Sequence, residues 1–160
     1  MLLIFILVYC RREVSPKAPF ERGRQLAPWV WGLLALVMTE GIMGSQVREM
    51  TDVLAKSHVG EARESWIGEL EGSLIYLVHR SFSWLIVLLM GFVAWKAKGL
   101  GILEKRAKVM CGLVLSMMVM GLVLAQIGVF AWVQVLHVGI AAVMVTILCD
   151  WSLVLQRAKS

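Results

Sequence analysis

Apolar and polar positions alternate along this chain in blocks rather than singly. Four long apolar stretches, at about residues 26–45, 73–95, 107–129 and 131–148, are separated by charged links, and the last continues in helical pattern to Gln156. Runs of about 20 apolar residues match a hydrocarbon core roughly 30 Å thick. Backbone N–H and C=O groups find no water in that core, so such runs must be helices or closed barrels, and unbroken apolarity selects helices. The pattern therefore predicts an all-α integral membrane protein whose residues 26–156 form a four-transmembrane-helix bundle. A fifth apolar segment, MLLIFILVY at 1–9, is too short to span. It has neither a basic leading region nor a small-residue cleavage site, so it reads as the remnant of a preceding span rather than a signal peptide.

The links orient the bundle. Residues 10–25 hold five Lys/Arg and two Glu, with Pro16 and Pro19 precluding a continuous helix, and read as a basic linker. The 96–108 link carries five basic residues and one acid, whereas the long 45–73 loop carries three basic residues and six acids. Positive residues stay inside, so the linker, the 96–108 link and the C-terminus are expected to be cytoplasmic, with the 45–73 loop outside. Trp29, Trp31, Trp95 and Trp151 then fall near the inner interface and Trp132 near the outer one. Within the loop, Val47, Met50, Val53 and Leu54 have helical spacing among acids, which predicts a short amphipathic helix on the outer surface. Gly99 and Gly101 break the chain between spans two and three, and a very short turn makes spans three and four an antiparallel hairpin.

Composition agrees with this picture. The chain is 59% hydrophobic and 17% charged, with a mean hydropathy of +0.78, more apolar surface than a soluble domain of 160 residues can hide. The net charge of +5 is confined to the links, so no nucleic-acid surface is implied. Cys10, Cys111 and Cys149 form no CxxC or CxxCH motif and read as small apolar packers.

Candidate chemistry lies in the few polar groups inside the spans, where ionisable side chains are costly. His79 lies about six residues, or roughly 9 Å, into span two. His137 lies about as far into span four, which runs in the same direction. Two histidines at one depth on parallel helices have the geometry of bis-histidine heme ligation. The competing reading is that each hydrogen-bonds to a neighbouring helix. Zinc and copper fit less well for want of a third ligand. Arg80 has two possible partners, a heme propionate or Glu40 of span one. Arg48, at the outer lip of span one, is a further propionate candidate or an ordinary interfacial arginine. Gln134, one turn before His137, and Gln126 would orient a histidine or bridge helices. Tyr76 reads as an interfacial anchor, His58 as a solvated loop residue, and Met117, Met118 and Met120 as packing. Spans one and two are repeated in plan by spans three and four, with Gly41 and Gly44, then Gly121 and Gly128, allowing close helix approach.

Three segments in order carry a family resemblance. Gly44-Ser45-Gln46-Val47-Arg48-Glu49, then His79-Arg80-Ser81-Phe82-Ser83-Trp84, then Gln134-Val135-Leu136-His137 resemble the second half of heme A synthase, the CtaA family. The resemblance covers the chain from about residue 26 onward. It implies half of an eight-helix, pseudo-symmetric protein that oxidises a methyl group of heme o to the formyl group of heme a for cytochrome oxidase. On this resemblance His79 and His137 are axial ligands of a heme b cofactor, and Arg80, Arg48 and Gln134 serve its binding. In the family's N-terminal half a reactive glutamate stands three residues before the first histidine. Here that position is Tyr76, so no catalytic residue is assigned. The implied partners are an N-terminal four-helix bundle or a second copy of this chain, heme o as substrate of the whole enzyme, and the lipid bilayer. The expected location is the cell's inner (plasma) membrane, in preference to the mitochondrial inner membrane. A non-catalytic membrane cytochrome b and a half-size synthase acting as a homodimer are the alternative readings.

Overall fold

The computed structural model describes residues 23–157. The 1–9 segment, most of the 10–25 linker and Cys10 lie outside the described residues.

A 3₁₀ turn at Arg24–Leu26 leads into α1, Ala27–Ser57, which begins with Pro28 in its first turn, where proline's missing N–H is no loss. A short helix α2, Arg63–Glu71, follows. Then come α3, Leu74–Ala97, α4, Ile102–Gln126, and α5, Ala131–Arg157. Helices α1, α3, α4 and α5 are each long and apolar enough to cross a membrane, and the chain is a multi-pass membrane protein. Ser73 caps α3 by accepting the Tyr76 N–H at 3.4 Å. The α3–α4 link turns on Gly99 and Gly101, at φ 79° and 62°, where a side chain would be strained. Glu104 steadies that turn by accepting the Gly99 N–H at 2.9 Å.

The four long helices form a ring. Both α1 and α4 pack against α3 and α5, so α3 and α5 stand diagonally opposite. One end of the bundle is tightly filled: Leu33, Met90, Leu103, Met110, Leu148, Trp151 and Leu155 are almost wholly buried. Lipid tails are as apolar as these side chains, so close packing and polar contacts hold the helices together rather than escape from water. At this end Arg106 of α4 meets Asp150 of α5 at 2.8 Å, both mostly buried. Gly23 comes so close that a Cβ on it would sit 2.0 Å from Leu103 Cδ1.

The chain departs from expectation in three places. The helix of span one does not stop near Ser45 with a separate surface helix after it; α1 continues unbroken to Ser57. No proline or positive-φ residue interrupts 45–57, and Gln46, Glu49, Met50, Leu54 and Ala55 are good helix formers. The break falls instead at Gly60, at φ 89°, and the separate helix is α2. The third long helix is helical from Ile102, five residues before the expected apolar start, because its basic first turns are helical as well. Trp151 is 0% exposed and belongs to the core, not to an interfacial belt, since it shares one face of α5 with Leu148, Ser152 and Leu155. Trp29, Trp31, Trp95 and Trp132 are exposed, as belt residues should be.

Candidate functional site

The end of the bundle away from Trp151 is looser and more polar. His79 lies in the second turn of α3, and His137 at the corresponding level of α5. Both are half-buried. Each imidazole is backed by a glycine of a neighbouring helix. A Cβ on Gly44 of α1 would meet His79 Cε1 at 3.4 Å, and one on Gly121 of α4 would meet His137 Cε1 at 3.8 Å. Both glycines thus leave room for a ring against backbone.

The two histidines differ in their partners. His79 Nδ1 lies 3.1 Å from Glu40 Oε1 of α1. The same carboxylate oxygen accepts a hydrogen bond from Ser83 Oγ, and Ser83 also donates to the His79 carbonyl at 3.1 Å. His79 and Ser83 are one turn apart and face α1 together. The Nδ1 atoms of both histidines are buried without a hydrogen bond of good geometry among the described residues, so the contact that sets His79 apart is its ion-pair distance to Glu40.

The remaining candidates are spread around this pair. Arg80 is exposed and does not pair with Glu40, whose partners are His79 and Ser83. Successive helix residues are about 100° apart, so Arg80 looks away from the α1 face that His79 occupies. Arg48 is exposed and loosely paired with Asp52 at 3.9 Å. Gln134 is half-buried one turn before His137, Tyr76 is half-buried one turn before His79, and Gln126 is exposed. Met117, Met118 and Met120 are half-buried in α4. Cys111 and Cys149 are free thiols, both half-buried. Among the described residues no group of three or more His, Cys, Asp or Glu side chains could hold a metal ion.

Sequence reasoning missed the structure over this end. Helix α2 folds back with Trp66 and Leu70 buried, and touches α1 and α3. Its Arg63 donates through Nη2 to the carbonyls of Leu124 and Ala125, at 3.1 and 2.8 Å, in the last turn of α4. Those carbonyls have no partner within the helix and sit at its negative end, so an arginine is well matched to them. His58 is not a freely solvated loop residue: it ends α1, stacks on Trp66 at 6.4 Å and lies 3.7 Å from Glu69.

The family model COX15-CtaA, described as cytochrome oxidase assembly protein, matches residues 1–149. The chain belongs to this family. Searches of the curated proteins and of the solved structures give no match. Membership in the COX15-CtaA family makes this an oxidoreductase-family protein of heme A synthesis and cytochrome oxidase assembly. It bears out the resemblance drawn from the Gly44, His79 and Gln134 segments.

Proposed function

We propose that the chain is the heme b-binding C-terminal half of a heme A synthase, with His79 and His137 as axial ligands. The observation that carries this reading is the pair of glycine-backed imidazoles on diagonally opposite helices at one level of the bundle. The residues fit a heme. A ring-sized group between α3 and α5 needs one ring nitrogen from each, and His79 on α3 and His137 on α5 supply them. Small residues at 44 and 121 keep the backbone out of the way.

When bound, heme supplies a centre that accepts and releases one electron. The protein's part is to fix the two imidazoles, exclude water and hold the group's acidic edge. Arg80, exposed and outside the His79–Glu40 pair, supplies a guanidinium for a propionate. Arg48 is a second donor, because its contact with Asp52 is long and readily exchanged. Gln134 supplies a polar side chain one turn from His137. Tyr76, where the family's other half has a reactive glutamate, supports a supporting role for this bundle rather than oxidation of heme o. Its partner is then an N-terminal-type bundle or a second copy of the chain. The basic links at 10–25 and 96–108 support a cytoplasmic C-terminus in the inner membrane.

The test is conversion of heme o. The purified full chain, reconstituted in lipid with heme o and reductant, is expected to bind heme and form no heme a. Co-expression with an N-terminal-type bundle should restore conversion. Formation of heme a by this chain alone would overturn the half-enzyme reading.

A further inference from the structure

The two histidines sit in equivalent places but in unequal surroundings. The helix pair α1–α3 presents Gly44 to His79, and the pair α4–α5 presents Gly121 to His137. Counting from these glycines and histidines gives matching positions one turn away. Glu40 precedes Gly44 by four residues, and Met117 precedes Gly121 by four. Ser83 follows His79 by four, and Ala141 follows His137 by four. The positions that hold a carboxylate and a serine hydroxyl around His79 are thus a methionine and an alanine in the half that carries His137. The contacts distinguish the two rings: Glu40 Oε1 lies 3.1 Å from His79 Nδ1, an ion-pair distance, and accepts from Ser83, whereas among the described residues no carboxylate lies within ion-pair distance of His137.

A carboxylate that deep in an apolar span is costly, and no arginine or lysine neutralises it among the described residues. Its side-chain partners among the described residues, His79 and Ser83, both lie on α3. A carboxylate at one imidazole nitrogen fixes which nitrogen carries the proton, orients the ring and makes the other nitrogen a stronger electron donor. Second-shell hydrogen bonding of this kind is one of the means by which a protein sets a heme potential.

Resting on the bis-histidine reading above, we propose that Glu40 is a positioning residue, held by Ser83, that makes the heme ligands unequal. It fixes the proton of His79 on Nδ1, leaves Nε2 for iron and makes His79 the stronger donor. His137 is the weaker, unassisted ligand. The consequence is a heme iron biased toward the ferric state and therefore toward giving up its electron.

The experiment is a redox titration of the full chain, heme-loaded in lipid nanodiscs, followed by its optical spectrum. Glu40→Gln keeps the size of the side chain and removes the charge. It is expected to keep the low-spin spectrum and to shift the ferric–ferrous equilibrium about tenfold toward ferrous, about +59 mV for one electron. Ser83→Ala should shift it the same way by less, and it serves equally if Glu40→Gln does not fold. Met117→Leu, at the matching position beside His137, should leave the potential in place. An unchanged potential in a heme-loaded Glu40→Gln or Ser83→Ala protein would overturn the inference, as would an equal rise in Met117→Leu. A wild-type chain that binds no heme would overturn the bis-histidine reading itself.

Discussion

Removing the Arg63 side chain should release α2 while leaving the four long helices in place. Arg63 Nη2 donates to two carbonyls in the last turn of α4. Hydrogen bonds from a charged donor contribute about 1.5–3 kcal/mol each. Here one amino group serves both acceptors, so the pair is worth less than twice that. A cation at a helix C-terminus adds about 0.3–1 kcal/mol, up to ~2 where partly buried. Together these give about 2–4 kcal/mol for Arg63→Ala, which by the usual ~1.4 kcal/mol per decade is roughly a 30- to 700-fold change in the opening equilibrium. Within its nine residues, helix α2 is otherwise held by the buried side chains Trp66 and Leu70 and by the contacts of Trp66 and Glu69 with His58. Hydrogen exchange resolved by peptide, on protein in nanodiscs, should show faster exchange across 63–71, with 84–95 in the middle of α3 unchanged. Arg63→Lys keeps the charge but not the planar amino group, so it should fall between wild type and alanine. Unchanged exchange over 63–71 in Arg63→Ala would refute the argument.

Two further predictions concern packing and charge. Gly44→Ala and Gly121→Ala should bind heme nearly as well as wild type, because the added methyl groups meet the rings at 3.4 and 3.8 Å, ordinary contact distances. Leucine at either position must displace the imidazole, so heme content measured after purification should fall by most of its value; full retention in both leucine variants would contradict the site. At the other end, Asp150→Ala leaves Arg106 in a mostly buried place and should destabilise the bundle by about 3 kcal/mol in an unfolding titration. Replacing both by apolar residues should recover much of that loss, and a loss under about 0.5 kcal/mol in Asp150→Ala would show that the pair is unimportant.

The sequence was most legible where lipid restricts the chain most. Four apolar runs gave four helices, and counting residues from their starts put His79 and His137 at one depth. Depth along a helix says nothing about direction around it. For that reason Glu40 was open to pairing with Arg80, although the neighbouring position, His79, is the one that faces it, together with Ser83 one turn on. The pattern i, i+4 on α3 was the available signal. Apolarity also stops where lipid stops, but helices do not, so α1 ran past Ser45 into polar sequence that propensity alone would have kept helical. Arg106, near the start of α4, and Asp150, near the end of the antiparallel α5, stand at the same end of the bundle and were findable by the depth argument used for the histidines. The contact of Arg63 with two backbone carbonyls had no sequence signal, because any helix end offers the same groups.

The claim on which the rest depends is that His79 and His137 together hold a heme. Its most direct test is the reduced-minus-oxidised spectrum, with low-temperature electron paramagnetic resonance, of the purified full chain and of His79→Ala and His137→Ala. The wild-type chain should give a low-spin b-type spectrum. Each single variant should lose the low-spin signal, by loss of heme or by conversion to a high-spin form with one axial ligand. A low-spin signal of wild-type intensity in either variant would contradict the assignment.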